Sequence, residues 1–323
     1  MELRRLGRTD LRLSPLGLGC WQFARGRGLT GSYWPALDEA TTRAVVATSI
    51  EAGVNWFDTA EAYGQGASER SLVDALRAAE VEPGRIVVAT KWWPTLRTSP
   101  SVLDTFHHRE EALRPFPIDL HQVHHPYALS PVEAVIRAMA KLKRKGRIKA
   151  IGVSNYDQGR LERALLALRE EELHVASNQV KYSLLDRSIE ANGLLAFCRN
   201  QRVSVLAYSP LEQGLLSGKY HRAPELLKKL SLVRRFLPRY QEETLQRTRP
   251  VVEAVESVAA EQGATPAQVA LSWVMAKGVF AIAGARSADQ ARDNTGALEV
   301  HLTPAQMSRL DEVSTAFRTQ PVR

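Results

Sequence analysis

Val54-Asn55-Trp56-Phe57 runs into Asp58, Ile86-Val87-Val88-Ala89-Thr90 runs into Lys91, and Ile118-Asp119-Leu120-His121-Gln122-Val123 runs into His124. Each stretch has the length and apolar content of a buried strand, and each stops on a side chain that can carry charge. Strands that alternate with helices and collect polar residues at their C-terminal ends predict an α/β fold, a (β/α)8 TIM barrel whose active site lies on that face. Other strands complete the count. Pro15-Leu16-Gly17-Leu18-Gly19-Cys20-Trp21 precedes these three. Ala150-Ile151-Gly152-Val153, Ser177-Asn178-Gln179-Val180-Lys181-Tyr182, Val203-Ser204-Val205-Leu206-Ala207-Tyr208 and Val279-Phe280-Ala281-Ile282-Ala283-Gly284 follow.

Before the first strand, Leu3-Arg4-Arg5-Leu6 and Leu11-Arg12-Leu13 flank Gly7-Arg8-Thr9-Asp10, an N-terminal β-hairpin placed to plug the barrel's bottom. Ser130-Pro131-Val132-Glu133 reads as a capping box with proline at the first helical position. Val132, Val135, Ile136, Met139 and Leu142 then form one apolar helix face, and Gly146 ends it. Thr265-Pro266-Ala267-Gln268 and Thr303-Pro304-Ala305-Gln306 repeat the cap, proline and glutamine signature around the last strand. The stretch from Leu211 to Arg249 is too long for an ordinary barrel loop. It is a long insertion after strand 7, rich in arginine (Arg234, Arg235, Arg239), and reads equally as a binding loop or as a surface elaboration.

The chain of 323 residues suits one barrel with an insertion, and no linker or repeat divides it, so residues 1–323 are expected to form a single domain. The apolar share of 44% and charged share of 24% are those of a globular chain. No apolar run approaches the roughly 18 residues of a membrane span, and Met1-Glu2-Leu3-Arg4-Arg5-Leu6 lacks an apolar signal core. A cytoplasmic location with no membrane partner is the expectation. Cys20 and Cys198 are too few for a disulfide framework or a zinc site and read as reduced thiols. The net charge of +8 raises the question of nucleic acid. The densest basic run, Lys141-Leu142-Lys143-Arg144-Lys145-Gly146-Arg147, closes a helix, where cations meet the negative end of the dipole. The rest is scattered without the interleaved aromatics of a single-strand groove, so no nucleic-acid partner is expected, and an anionic cofactor accounts for part of the excess.

Asp58, Tyr63, Lys91 and His124 make a proton-transfer set. A tyrosine with its ordinary pKa of about 10 is a weak acid at neutral pH. A lysine beside it favours the phenolate, an aspartate keeps that lysine charged, and a histidine N–H can stabilise an oxygen gaining charge. A barrel metal site built from His107, His108, His121, His124 and His125 is disfavoured. His121 and His124 differ by an odd number of positions and so face opposite sides of one strand.

Asp58-Thr59-Ala60-Glu61-Ala62-Tyr63-Gly64, Lys91 and Val123-His124-His125-Pro126 resemble the signature segments of the aldo-keto reductases, NADPH-dependent carbonyl reductases on an eight-stranded barrel, and the likeness runs from Leu6 to about Leu310. The resemblance implies Tyr63 as general acid with Asp58, Lys91 and His124 as partners. It implies a substrate pocket of Trp21, Tyr63, Trp92 and His124, taking a small carbonyl compound. It also implies a cofactor site. Cys20, Trp21 and Asp58 belong to it. Ser154, Asn155 and Gln179 anchor its carboxamide, and Tyr208 stacks on its ring. Ser209, Pro210, Leu211, Gly214, Ser217 and Lys219 cover the pyrophosphate. Gly284, Arg286, Gln290, Asp293 and Asn294 take the adenine and 2′-phosphate at a helix N-terminus. Ser287-Ala288-Asp289-Gln290 reads as a capping box there. Ala283 stands where the family usually has proline and Gly284 where many members have lysine, which leaves Arg286 and Lys219 as the main cations. NADPH is the implied cofactor and NADH the less favoured one. Gly284-Ala285-Arg286 and Gly214-Leu215-Leu216-Ser217-Gly218-Lys219 resemble the bacterial branch near the potassium-channel beta subunits. That branch raises a second reading, an NADPH-binding redox sensor or scaffold with slow turnover. The physiological substrate and oligomeric state are not legible.

Overall fold

The computed structural model describes residues 2–26 and 33–322. Strands β1 (Arg4–Arg5) and β2 (Arg12–Leu13) form the antiparallel hairpin. Eight further strands, all parallel to their neighbours, close a barrel. They are β3 (Leu16–Gly19), β4 (Trp56–Asp58), β5 (Val87–Trp92), β6 (Leu120–Val123), β7 (Ala150–Ser154), β8 (Val175–Lys181), β9 (Ser204–Tyr208) and β10 (Phe280–Gly284), with β10 pairing β3 to complete the ring.

Alternation along each strand separates two cores. Trp56, Val87, Ala89, Leu120, Leu206, Phe280 and Ile282 fill the barrel, closed at its base by Leu6 and Leu13 of the hairpin. Phe57, Val88, Val123 and Ile151, on the other strand faces, pack outward against the helices. The helix Val132–Arg144 meets them with Val132, Val135, Ile136, Met139 and Leu142 buried, as its spacing predicts. Each such side chain contributes about 1.5–3 kcal/mol through burial. The barrel interior is full enough to dictate two glycines. A Cβ on Gly17 would stand 2.2 Å from the Trp56 ring, and one on Gly152 would stand 2.7 Å from Ser177 Oγ and 2.8 Å from Gln122 Cγ.

One irregularity sets the phase of β8. Ile151 pairs with Val175, but Gly152 pairs with Ser177, so Ala176 is an extra residue opposite β7. The bulge turns Gln179 inward to the site, while the Asn178 amide is spent outward on the Tyr156 carbonyl.

Both threonine capping boxes form, at Thr265 and Thr303, each with proline in the first turn. The box expected at Ser130 does not. Its helix starts at Val132 with Pro131 as cap, and the Ser130 hydroxyl instead accepts from the Ser99 amide. The insertion also ends earlier than its sequence implies. Short turns occupy Glu212–Ser217, Lys219–Arg222, Pro224–Lys229, Leu232–Arg235 and Pro238–Tyr240, and then one helix spans Glu242–Gln262. Pro250 lies inside that helix, where a proline ordinarily marks a break. Buried Leu245, Thr248, Val251, Val252 and Val255 hold the helix through it. Among the described residues no helix is long and apolar enough to cross a membrane.

Candidate active site

The top inward layer of the barrel is polar where the layers beneath are apolar. Asp58 ends β4, Lys91 lies one residue from the end of β5, Gln122 occupies the matching position on β6, and Gln179 arrives through the β8 bulge. Lys91 Nζ donates to Asp58 Oδ2 at 2.5 Å and to the Thr59 carbonyl at 3.0 Å. Asp58 Oδ1 accepts from Gln122 Nε2 at 3.0 Å and from Gln179 Nε2 at 2.9 Å. Each buried charge is thus fully paired, the condition under which such a pair persists. Burial works against the Lys91 charge, but Asp58 and then Tyr63 outweigh it and hold its pKa above the usual lysine value.

Tyr63 sits in the loop after β4, its hydroxyl 3.4 Å from Lys91 Nζ. Burial raises its pKa; Lys91 opposes this, Asp58 adds to it, and the net direction is upward. The sequence expectation that Lys91 dominates is corrected here, because removing the phenol from water costs its anion more than the neighbouring ammonium returns. At neutral pH the hydroxyl keeps its proton. His124 meets the Tyr63 ring edge-on at 5.6 Å between centroids. Burial first, then Lys91 and His125, push its pKa well below the usual histidine value. A neutral imidazole carries one ring N–H, which can donate a hydrogen bond without surrendering the proton. Its buried Nδ1 has no partner.

Aromatic rings wall this pocket. Trp21 lies 6.1 Å from Tyr63 and stacks on Tyr33 at 4.9 Å and 16°, while Trp93 stands edge-on to His124 at 5.1 Å. Trp92 is not part of the wall. It follows Lys91, so the alternation of β5 turns it outward into the core against the helices, 1% exposed. Cys20 is likewise closed to a ligand. Its amide donates to the Asp58 carbonyl, its carbonyl accepts from Ser68 Oγ, and the residue is 0% exposed.

From the reacting centre a row of polar side chains continues past the ends of β7, β9 and β10. Ser154 Oγ donates to the Gln179 carbonyl, Asn155 Nδ2 donates to Ser154 Oγ, and the Tyr208 hydroxyl donates to Asn155 Oδ1. Ser209 (φ +54°) follows Tyr208, and buried Pro210 and half-buried Leu211 lead into the insertion. Ser217 Oγ bonds the Gly214 carbonyl. Gly214 (φ +98°) lets Lys219 fold back, since a Cβ there would lie 2.9 Å from Lys219 Cε. At the far end, Gln290 accepts from the Arg286 amide and donates its own to Ser287 Oγ. Only the Ser287 half of the expected box forms, the glutamine reaching one residue further back. Asn294 Nδ2 donates to the Gly284 carbonyl, whereas Asp293 turns away and accepts from Thr265 Oγ1, joining two helices instead. Gln22 fills the space beside Gly284, where a Cβ would come within 2.3 Å of its amide.

Arg286, Lys219 and Arg234 converge here without a carboxylate among the ion pairs of the described residues. Burial lowers the pKa of both Lys219 and Arg286, and the neighbouring guanidiniums lower them further. Buried Nε atoms of Arg286 and Arg234 have no partner. Such a cluster of unneutralised cations favours a nearby anion electrostatically. Arg234 belongs to it from inside the insertion, and sequence gave no reason to prefer it over Arg235 or Arg239. Gln122 was also missed, although its place two residues before His124, in phase with Lys91, is readable once the strand alternation is followed.

Behind β5 a second buried network braces the site. Glu69 Oε1 accepts from Thr90 Oγ1 at 2.6 Å, and Oε2 is ion-paired with Arg109 Nε at 2.9 Å. Glu61 bridges Arg97 and Arg109 and accepts from the Trp93 amide. Burial pushes Glu69 up to about 7, with Arg109 and Thr90 opposing only in part. A carboxyl whose pKa rises on folding contributes stability that is fully present below its unfolded pKa and lost as pH climbs through about 7. Between pH 5 and 8 the native protein should therefore lose on the order of 3 kcal/mol. Glu69→Gln should flatten that decline in melting temperature; an unchanged slope would place the titration elsewhere.

Residues 15–315 match the aldo/keto reductase family. An uncharacterized oxidoreductase of Mycobacterium tuberculosis is 36% identical over 312 residues, covering 95% of this chain and 91% of that protein. Among solved structures, the glycerol dehydrogenase of Gluconobacter oxydans superposes with a TM-score of 0.84 at 26% identity, over 99% of this chain and 97% of that one. An aldo-keto reductase of Klebsiella pneumoniae in complex with NADPH has a TM-score of 0.74 at 25% identity, over 97% and 96% of the two chains. With a closed barrel, a buried lysine–aspartate pair beside a tyrosine at its mouth, and a sequence match across nearly its whole length, this chain belongs to the aldo/keto reductase family.

Proposed function

We propose that this protein reduces aldehydes or ketones to alcohols with NADPH, reversibly, and that Tyr63 is the general acid. The observation that carries the reading is a protonated, half-buried phenol 3.4 Å from a charged lysine, beside aromatic rings and near a cluster of Arg286, Lys219 and Arg234 that pairs with no carboxylate among the described residues. These side chains fit a nicotinamide dinucleotide phosphate. Two buried guanidinium Nε atoms there lack partners, Gly284 is exposed, and the helix Ala288–Gly296 presents its N-terminus. Ser154, Asn155 and Gln179 would hold the carboxamide, Tyr208 the ring face, Ser209–Leu211 with Gly214, Ser217 and Lys219 the pyrophosphate, and Gly284, Arg286, Gln290 and Asn294 the adenosine 2′-phosphate. A nicotinamide held there would supply a hydride to the carbonyl carbon. Tyr63 gives its proton to the oxygen that gains charge, Lys91 stabilises the phenolate left behind, and His124 donates a hydrogen bond to the same oxygen. Asp58 and the two glutamines keep Lys91 charged and in place. The NADPH complex of the Klebsiella relative supports the cofactor choice.

Fluorescence titration with NADPH and NADH, followed by a panel of aldehydes and ketones, tests the reading. Tight NADPH binding with steady oxidation on adding a carbonyl compound is expected. Binding without turnover across the panel would point to a sensor, and no binding would sink the cofactor assignment. Arg286→Ala should weaken NADPH by about 10- to 100-fold, the loss of a charge-assisted phosphate contact of 1.5–3 kcal/mol, while barely changing NADH. Equal losses would show that Arg286 does not read the 2′-phosphate.

A further inference from the structure

Arg234 is 4% exposed yet pairs with no carboxylate among the described residues. Its guanidinium lies over the Trp34 ring at 4.1 Å, with Tyr240 at 5.4 Å and Tyr33 at 5.7 Å, and it donates to the Tyr240 hydroxyl. The same aromatics continue toward the reacting centre. Tyr33 and Trp34 meet edge-to-face at 5.4 Å, both contact Trp21, and Trp21 faces Tyr63. A polar strut runs in parallel. The Tyr33 hydroxyl donates to Gln213 Oε1 at 2.6 Å, and the Tyr240 hydroxyl reaches the Gln213 carbonyl at 3.3 Å. Gln213 and Glu212 before it hold the left-handed region, at φ +54° and +45°, a conformation that costs a non-glycine residue energy. Glu212 is locked there by Lys181 at 3.1 Å and Arg239 at 3.2 Å. In this conformation Gln213 links the Tyr33 and Tyr240 hydroxyls.

We propose that Arg234 is a positioning residue that joins the phosphate end of the nucleotide site to the Trp34–Tyr33–Trp21 wall of the substrate pocket, so that a bound phosphate fixes the wall and a filled pocket tightens the nucleotide. The inference rests on the cofactor reading above. The Arg234 charge reaches Lys219 and Arg286, whose pKa values it lowers, while its guanidinium carbon sits over the Trp34 ring at 4.1 Å. With the three cations unneutralised, mutual repulsion works against that placement. An anion between them reverses the sign and holds Arg234 down on the indole, where the cation–π contact also strengthens as water leaves. Because coupling between two sites is reciprocal, the factor by which a nucleotide phosphate favours substrate equals the factor by which substrate favours the nucleotide.

The test uses the full chain labelled with 5-fluorotryptophan, the Trp34 and Trp21 signals being assigned from Trp34→Phe and Trp21→Phe. The probe is adenosine 2′,5′-bisphosphate, which carries the phosphates and lacks the nicotinamide. Saturating probe should shift both signals in the native protein. In Arg234→Met, at probe concentrations raised to saturation, neither should move. Gln213→Ala, a milder change, should raise the KM for a substrate aldehyde by about fivefold with little change in kcat. Fluorine signals that ignore the saturated probe, or that respond equally in Arg234→Met, would overturn the proposal, as would an unchanged KM in Gln213→Ala. An NADPH titration of the native protein separates the two levels. Nucleotide binding without a fluorine response removes the coupling alone, and absence of any binding removes the cofactor reading and the coupling with it.

Discussion

Replacing Tyr63 by phenylalanine should lower kcat/KM for carbonyl reduction by about 10²- to 10⁴-fold and leave NADPH affinity near the native value. The phenylalanine ring preserves the stacking against Trp21 and the edge contact with His124, so the pocket keeps its shape and only the proton is lost. Lys91 would keep Asp58 and the Thr59 carbonyl as partners, its 3.4 Å contact to the tyrosine being the weakest of the three. The pH profile gives an independent check. With the Tyr63 pKa raised by burial, the protonated form prevails through neutral pH and is lost only in alkali. Reduction should therefore hold level and fall at high pH, while alcohol oxidation, which needs the phenolate as base, should rise over the same range. A variant that retains native turnover would remove Tyr63 from the acid role.

Lys91→Met should cost about 3–5 kcal/mol of stability in addition to abolishing activity. The methionine fills much of the volume, but Asp58 Oδ2 is then left charged in a place 3% exposed, with its strongest donor gone. Asp58→Asn alone should also be costly, because it strands the ammonium. The double variant should recover much of the loss, since neither charge remains to be buried unpaired, yet stay inactive. Urea denaturation of all four proteins gives the coupling energy directly. Costs that simply add would show that the two residues do not act as a pair.

Much of the architecture could be read in the chain because the barrel writes its pattern locally. Strands ending in Asp58, Lys91 and His124, helices opened by Thr-Pro-Ala-Gln, and a hairpin before the first strand each carry their own signal. Errors fell where position depends on something distant. Trp92 looked like pocket lining by its neighbourhood to Lys91, and the two-residue period of a strand put it on the far side. Cys20 stood in the right segment, but hydrogen bonds to Asp58 and Ser68 closed it off. Asp293 lay in the right motif and was taken by Thr265 from another helix. Arg234, Gln213, Tyr33 and Trp34 gave no sequence signal because they meet only in space, across separations as large as 201 residues.

The extra residue at Ala176 bears on how this site could change over generations. A sheet keeps odd and even positions on opposite sides, so the bulge acts as a parity bit for everything downstream on β8. Substitution at position 176 leaves that bit alone. Its deletion would remove the bulge and join Val175 directly to Ser177, leaving Asn178 on the Tyr156 carbonyl and Gln179 on Asp58, whereas straightening the strand with all its residues kept would turn Gln179 to the helices. Descendants can therefore lose one residue at this point and keep the centre, because the bulge takes up the difference, whereas one residue more or less without a compensating bulge would turn Gln179 away from Asp58.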